Sequence, residues 1–314
     1  MSITTSYIPR KGLQASSLKI HFKDFKYNIA YLNSLRRILI EYVPTYAFDR
    51  ELIKISKNTG YQNNDQISLR LSQIPVLGIN TDLIYIEDYR WQNVDYTKNE
   101  EDFPEEKTYE VSINVKNTTH DYLAVTTNNF SVFINGQQIK NPYDQANPLL
   151  ITILRKDEEL ICNMTAKIRL GILNTCWSPV YNTYCMYKGN DYDFIIHSYG
   201  QQTEQKLFNQ GIEVILYRLK LFKSLIDNIK EKDITEYNIN INDKSISNIL
   251  VATLQKYDEV EFVGSNIKSF LEPKVVLHLI VKEKTDIKKL FAKCIDEITK
   301  NYTEIKNEFN KNSK

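Results

Sequence analysis

Side chains that could do chemistry are scattered along this sequence and form no catalytic pattern. The four histidines (His21, His120, His197 and His278) fall in different segments, and none belongs to an HExxH motif or a Cys/His pair. There is no glycine-rich phosphate loop, no nucleophile elbow and no acidic cluster of the D-x-D-x-D kind that a polymerase centre needs. We therefore predict no active site, no bound metal and no cofactor.

The cysteines indicate an intracellular protein. Cys162, Cys176, Cys185 and Cys294 form no CxxC pair, so four free thiols in an intracellular protein are expected. The sequence has no run of about 18 apolar residues that could span a membrane. The first twenty residues also lack the apolar segment of a secretory signal. A cytosolic or nuclear protein without membrane contact is expected.

The charge balance argues against one class of function. Forty Lys and Arg residues stand against 39 Asp and Glu residues, which gives a formal net charge of +1. A protein that binds nucleic acid mainly through bulk charge would show a basic stripe instead. With 314 residues the chain is long enough for two domains, each with its own core.

The central element is a helix predicted over residues 28–42. Apolar residues recur there at helical spacing, namely Ile29, Leu32, Leu35, Ile38, Leu39 and Tyr42. Arg36 and Arg37 lie off this stripe, and Pro44 ends the helix. Periodicity alone indicates an ordinary amphipathic core helix, and solvated helix charges are the alternative to a functional role for the two arginines.

Other elements follow from the same patterns. Strands are predicted at residues 18–25, 51–54, 109–115, 130–134, 149–154, 192–199, 237–241, 260–265 and 275–281. Further helices are predicted at 204–232, at 244–257 and from Thr285, the expected N-cap, to about residue 310. Residues 95–107 should form a solvated acidic loop, and His197 should be a structural histidine within a strand.

Three motifs in the first part of the chain resemble landmarks of one family. They are Asn33-x-Leu35-Arg36-Arg37-Ile38-Leu39 with Val43-Pro44-Thr45-x-Ala47-x-Asp49, then Arg70-Leu71-x-x-Ile74-Pro75, then Gly171-Ile172 with Trp177-Ser178-Pro179-Val180. The family comprises the bacterial α subunit and the third-largest subunit of archaeal and eukaryotic RNA polymerases. The third motif is about two residues shorter here and lacks a His-Ala pair. A buried tryptophan before a turn proline is its alternative interpretation.

The last eighty residues resemble a different subunit. The segments that carry this resemblance are Asn242-x-x-Ser245-Ile246-Ser247-Asn248-Ile249-Leu250, Phe262-Val263-Gly264 and Leu271-Glu272-x-Lys274. They are similar to the small eleventh subunit of nuclear polymerases and its archaeal counterpart. A fusion of the two subunits resembles what nucleocytoplasmic large DNA viruses carry.

The resemblance implies an α+β fold in which two αβ dimerisation units form an α-subunit-like pseudo-dimer. The implied division is 1–50 and 191–232 for the first, discontinuous unit, 51–190 for a β-rich domain inserted in it, and 233–314 for the eleventh-subunit-like unit. Each unit has an apolar helical face that it cannot bury alone, so the helices of both should share one core.

The resemblance also implies a function, a non-catalytic assembly platform of a multisubunit DNA-dependent RNA polymerase. Its partners would be the largest and second-largest subunits and a small zinc-binding subunit, with DNA reached only through the complex. The residues expected at partner interfaces are Asn33, Arg36, Arg37, Pro44, Thr45, Ala47, Asp49, Arg70, Gly171, Trp177, Ser178 and Pro179. The implied locations are the cytoplasmic viral factory and the virion, with the nucleus as an alternative. A nucleic-acid-binding protein and an unrelated dimeric scaffold stay open as other functions.

Overall fold

The computed structural model describes residues 1–9, 16–79, 81–86, 106–228, 235–241, 243–267 and 275–312. The α-helices in these residues are α1 (Ala30–Glu41), α2 (Asn64–Ser72), α3 (Glu204–Asp227), α4 (Lys244–Leu254) and α5 (Ile287–Asn312). The strands are β1 (Ser2–Ile8), β2 (Ser16–Lys23), β3 (Thr45–Asn58), β4 (Tyr109–Lys116), β5 (Leu123–Thr126), β6 (Ser131–Ile134), β7 (Gln137–Ile139), β8 (Leu150–Leu154), β9 (Glu159–Arg169), β10 (Val180–Lys188), β11 (Asp191–Ser198), β12 (Glu236–Ile241), β13 (Val260–Ile267) and β14 (Val275–Val281). Short 3-10 helices occupy Thr127–Asn129 and Thr175–Trp177.

The first sheet joins the beginning of the chain to a segment far along it. Its order is β1-β2-β11-β10, and every neighbouring pair is antiparallel. Leu18, Ile20 and Phe22 of β2 alternate with more exposed residues and are buried, which confirms the half-buried strand predicted near residues 18–25. α1 and α3 pack against this sheet. β10, which the predicted division assigns to the inserted domain, is an edge strand here.

The predicted central helix is confirmed. α1 starts just after Asn28, whose side-chain oxygen accepts a hydrogen bond from the Ala30 N–H at 2.8 Å, and it ends before Pro44. Its stripe is buried, and Leu35, Ile38 and Leu39 have no exposed surface. The helix therefore forms because its apolar face has partners on α3, α4 and β10.

A second group of strands lies between α1 and β10 in the sequence. β3-β9-β4-β6-β7 form a five-stranded sheet, and β5 pairs with β8. The strand predicted at 51–54 is present, but its predicted length was wrong, since β3 runs from Thr45 to Asn58 along β9. Residues 64–72 form a helix with a capping box between Asn63 and Gln66, and Pro75 follows its end.

The last part of the chain has the predicted order of elements. β12, β14 and β13 form an antiparallel sheet in that order, and α4 and α5 complete the unit. One detail was wrong. Asp286, not Thr285, caps α5, because its Oδ1 accepts hydrogen bonds from the N–H groups of Lys288 and Lys289 at 3.1 and 3.2 Å. The Thr285 hydroxyl instead donates to the Lys282 carbonyl.

Some predictions lie outside the described residues. These are the end of the helix predicted to residue 232, the 271–274 motif and most of the acidic loop at 95–107. In the part that the structure describes, no helix is long and apolar enough to cross a membrane.

The helices from both ends of the chain share one hydrophobic core. α1 and α3 contact α4, and α5 packs on α3 and α4. The rings of Tyr31 and Tyr302 lie 5.1 Å apart, and the Tyr302 hydroxyl donates a hydrogen bond to the Tyr31 carbonyl at 2.8 Å. Phe208, near the start of α3, and Phe309, near the end of α5, have ring centroids 4.2 Å apart. The cluster of buried side chains is therefore continuous across all four helices.

Candidate protein-interaction site

The carboxy-terminal end of α1 carries the predicted charged residues. Asn33 is exposed, and Arg36 and Arg37 are half-buried. Arg37 Nη2 lies 3.5 Å from Glu41 Oε1, one helical turn later. Burial raises the pKa of the Glu41 carboxyl, and the positive charge of Arg37 opposes that shift. The guanidinium of Arg37 is thus already held by its own helix.

Arg36 faces the first sheet. Burial raises the pKa of the Cys185 thiol on β10 to about 11, and the charge of Arg36 opposes this rise. This electrostatic contact agrees with the packing of α1 on β10. Arg36 and Arg37 therefore have different surroundings, although they are neighbours in the sequence.

Gly171 brings a loop into direct contact with the end of α1. A Cβ atom on this residue would lie 2.0 Å from the Ile40 carbonyl oxygen and 3.4 Å from Ser178 Cα. The next residue, Ile172, donates its N–H to the Glu41 carbonyl at 2.9 Å. Two of the predicted motifs therefore form one surface, and only a residue without a side chain fits at their junction.

The Trp-Ser-Pro segment is buried within this chain. Trp177 is 3% exposed, and its Nε1–H donates to the Lys167 carbonyl at 3.0 Å. The Ser178 hydroxyl donates to the Val180 carbonyl at 2.7 Å, and Pro179 is also buried. These side chains fix the shape of the loop. The apolar residues beside them, Ile172 and Leu173, are exposed, and neither was among the residues expected at an interface.

The segment after α1 is also largely internal. Pro44, Thr45 and Ala47 are buried, and the Thr45 hydroxyl donates to the Val43 carbonyl at 3.1 Å. Asp49 is half-buried and accepts the Glu51 N–H at 3.1 Å. Burial raises the pKa of the Cys176 thiol to about 12, and the negative charge of Asp49 adds to that rise.

A small open cleft lies where the three motifs converge. Its walls are Thr45, Tyr46, Gln73, Ile74, Pro75, Val76, Thr175, Cys176, Ser178, Pro179, Tyr199 and Gln201. Each motif contributes side chains, although more than a hundred residues separate the first motif from the third. The structure thus brings together segments that the sequence could only place in order.

Gln201 organises this cleft and was missed in the sequence. Its Oε1 accepts the Tyr46 N–H at 3.2 Å, and its Nε2–H₂ donates to the carbonyls of Tyr46 and Val76 at 3.1 and 2.8 Å. It therefore ties the start of β3 to the segment after α2. No local signal marks a buried glutamine of this kind, because its partners lie more than a hundred residues away.

Arg70 stands apart from the cleft. It is exposed on α2, and its Nη1 donates to the Ile151 carbonyl at 2.9 Å. It is not among the residues that line the cleft. A partner that contacts both Arg70 and α1 would have to extend across the surface between them.

The histidines have separate partners. His21 Nδ1 lies 2.7 Å from Asp193 Oδ1, and His278 Nε2 lies 2.8 Å from Glu236 Oε1. His197 Nδ1 lies 2.6 Å from the Ser17 hydroxyl, and burial lowers the pKa of this imidazole while Glu204 opposes the shift. The predicted structural role of His197 is confirmed. Among the described residues, no three His, Cys, Asp or Glu side chains are grouped so that they could hold a metal ion.

Comparison with known proteins shows similarity to RNA polymerase subunits. Residues 235–308 match the model of the RNA polymerase Rpb3/Rpb11 dimerisation domain. The chain is 21% identical, over 93% of its length and 90% of the relative's, to a protein of Acanthamoeba polyphaga mimivirus named as a DNA-directed RNA polymerase subunit. It is 27% identical, over 48% of its length and 50% of the relative's, to subunit RPB3 of RNA polymerase II from Schizosaccharomyces pombe. Residues 235–308 therefore carry an Rpb3/Rpb11 dimerisation domain, and the chain as a whole is similar to DNA-directed RNA polymerase subunits, one of which is viral.

Proposed function

We propose that this chain is the non-catalytic assembly platform of a viral multisubunit RNA polymerase, with third-largest-like and eleventh-like units fused in one polypeptide. The observation that carries the proposal is the helical core shared by the two ends of the chain. Cellular polymerases build this kind of pair from two separate chains. A rigid pair of units would then offer its outer surface to larger subunits.

The pseudo-dimer rests on contacts between the proposed units. The Ser34 hydroxyl on α1 donates to the Ser245 carbonyl on α4 at 2.8 Å. Phe222 on α3 and Phe291 on α5 make an edge contact with a centroid distance of 5.5 Å. Each unit alone would expose these apolar helix faces to water, at a cost of about 25 cal/mol per Å². Covalent linkage raises the effective concentration of one unit near the other to the order of mM.

The proposed insertion also has structural support. β2 and β11 pair directly, although β3 to β9 lie between them in sequence and form sheets of their own. The chain leaves the first sheet after β2, forms α1 and then separate sheets, and returns to the first sheet at β10 and β11. This path fits a domain inserted in the first unit. We propose that this domain and the loop at Gly171 extend the platform.

We propose that the second-largest subunit binds the surface formed by the end of α1 and the loop that begins at Gly171. Arg36 and Arg37, both half-buried near the end of α1, offer cations at this surface, and the exposed Ile172 and Leu173 offer apolar area. The largest subunit would contact the carboxy-terminal unit, and a small zinc-binding subunit would lie alongside. The complex would act in the cytoplasmic viral factory or the virion, with the nucleus as the alternative.

The substitution Arg37→Glu tests the platform role. It places two like charges one turn apart, which costs a few tenths of a kcal/mol and should leave the fold intact. We expect it to abolish capture of the second-largest subunit when the tagged chain is purified from its native source. The matched control is Arg155→Glu, at an exposed position between β8 and β9, which should capture both large subunits normally.

Two results would count against the proposal. One is normal capture by a folded Arg37→Glu chain, which would remove α1 from the interface. The other is purification of the wild-type chain without any large polymerase subunit, which would favour an unrelated scaffold. Circular dichroism of both variants separates loss of binding from loss of folding.

A further inference from the structure

An ion pair joins the two proposed units at a point where three elements meet. Arg218 lies on α3, and its Nε is 2.5 Å from Oδ2 of Asp243, which directly precedes α4. Both side chains are largely buried, with 13% and 7% of their surfaces exposed. The guanidinium carbon of Arg218 also lies 3.8 Å from the centre of the Tyr42 ring, which follows α1. These three residues are called the Arg218 junction below.

Asp243 and Tyr42, two of the three residues of the Arg218 junction, each make a further hydrogen bond. Asp243 Oδ1 accepts the N–H groups of Ser245 and Ile246 at 2.7 and 3.3 Å, so the same carboxylate caps α4 and holds Arg218. Tyr42 donates its N–H to the Ile38 carbonyl at 2.9 Å and thereby closes the last turn of α1. A shift of α4 relative to α3 would therefore disturb the end of α1 as well.

The end of α1 in turn holds the loop that contains Gly171. The Glu41 carbonyl, one residue before Tyr42, accepts the N–H of Ile172 at 2.9 Å. The negative charge of Asp243 also reaches this segment, because it contributes to the raised pKa values of Glu41 and Tyr42, for which burial is the largest cause. A continuous set of contacts thus runs from the cap of α4 to the proposed partner surface.

We propose that Arg218 and Asp243 are positioning residues, which set where the carboxy-terminal unit sits on the first unit and thereby order the end of α1 and the Gly171 loop for a partner. That a partner binds this ordered surface rests on the proposed function, whereas the positioning of one unit on the other does not. Apolar contacts such as Phe208 with Phe309 tolerate sliding because they are not directional. A buried ion pair tolerates little displacement, because separating its charges leaves each of them buried without a partner.

Other charge contacts between the units are poorer candidates for this role. Lys306 and Glu213 join α5 to α3 at 2.6 Å, with side-chain exposures of 27% and 45%. Lys26 and Glu304 meet at 2.5 Å and are about half exposed. Water and salt screen pairs of this kind, so they constrain the position of a helix weakly. They supply a matched control.

The test uses the full chain with three variants and amide hydrogen exchange. Arg218→Met removes the cation while keeping much of the side-chain volume, and Lys306→Met does the same at the exposed pair. Arg218→Met/Asp243→Asn replaces the buried charges by neutral groups, and Asn still caps α4. The amides of Tyr42 and Ile172 report on the end of α1 and on the loop.

We expect Arg218→Met to lower the Tm by about 5 °C, because it leaves a buried carboxylate unpaired. The Tyr42 and Ile172 amides should exchange at least about tenfold faster than in the wild type. This acceleration should exceed that of the amides in the core of β9, which report the loss of global stability. The double variant should regain most of the Tm but keep the fast exchange at both amides. Lys306→Met should leave their exchange unchanged.

The proposal is overturned if Arg218→Met and Lys306→Met affect the two amides equally. It is also overturned if the double variant restores slow exchange, because the charges would then have no positioning role. Neither readout needs a polymerase partner. Failure of partner capture by the wild-type chain would therefore contradict the proposed function and leave the positioning result standing.

Discussion

Gly171 determines how closely the loop of the third motif approaches α1. The hypothetical Cβ atom at 2.0 Å from the Ile40 carbonyl oxygen would meet rigid backbone at a helix end. No rotamer change can relieve such a clash, so α1 or the loop would have to move. This steric requirement explains the glycine without reference to any partner.

The substitution Gly171→Ala should therefore lower the free energy of unfolding by about 2–3 kcal/mol. Gly60→Ala is a suitable control, since its nearest new contact would be 3.3 Å, to a side-chain oxygen of Asn58. The control should change stability by less than about 1 kcal/mol. Urea unfolding of both variants measures the difference. Equal effects would show that the loop does not press on α1.

Asp193 on β11 is a buried carboxylate with three cationic or imidazole partners, Lys19, Lys188 and His21. Burial alone would raise its pKa, but hydrogen bonds from Lys188, Lys19 and His21 lower it well below the usual range. A folded-state pKa below the unfolded value means that this group stabilises the fold at pH values above about 4. The contribution is lost as the pH falls toward the folded-state pKa.

Asp193→Asn should accordingly lower the free energy of unfolding by about 2 kcal/mol at pH 7. This value allows for screening by solvent, because the cations are partly exposed. The difference from the wild type should shrink between pH 5 and pH 3. Thermal unfolding across this pH range provides the measurement, with the exposed Asp258→Asn as control. A difference that is constant with pH would contradict the ion-pair account.

At the scale of elements, α1 and α3 cross at a glycine. A Cβ atom on Gly211 would lie 2.8 Å from Leu39 Cδ2 and 2.9 Å from Leu35 Cδ1. The close approach lets the two helices pack against the same sheet. A larger side chain at this point would push the helices apart.

Gly211→Val should destabilise the chain by about 1–3 kcal/mol. Lys223→Val, at an exposed position of the same helix, controls for the lower helix propensity of valine. Combining Gly211→Val with Leu39→Ala should cost less than the sum of the two single changes, since the smaller side chain makes room. Additive costs in denaturant unfolding would show that the two residues do not compete for space.

At the scale of the whole molecule, contacts between α1 and α5 unite residues from opposite ends of the chain. The buried Tyr302 hydroxyl donates to the Tyr31 carbonyl, and the Asn301 side chain donates to the Tyr31 hydroxyl at 3.0 Å. Local opening of one helix should therefore expose the other.

Tyr302→Phe removes one buried hydrogen bond and should cost about 1–2 kcal/mol. Amide exchange measured by mass spectrometry should accelerate together in peptides from α1 and from α5, because both helices lose the same contact. Tyr122→Phe, at a side chain that is 76% exposed, should change neither. Acceleration in α5 without a change in α1 would mean that the two ends open independently.

The extent of β3 shows why some features were not readable from the sequence. A strand of fourteen residues forms from Thr45 to Asn58 because β9 pairs along it, with register shifts that absorb its irregularities. Pairing between segments a hundred residues apart leaves no local pattern. Likewise, the Arg37–Glu41 pair follows from helical spacing, whereas the Arg218–Asp243 pair depends on how α3 meets α4.

The sequence by itself determined four of the five described α-helices, most strands and their order, because hydrophobic periodicity is a local property of the chain. The order of its motifs also indicated the resemblance to RNA polymerase subunits. Only the tertiary structure decided which residues of the predicted partner motifs are buried. Trp177, Ser178 and Thr45 turn out to shape the site from within, and Gln201 ties its walls together. Periodicity marks the buried faces of helices and strands, whereas burial in these connecting segments depends on contacts between distant parts of the chain.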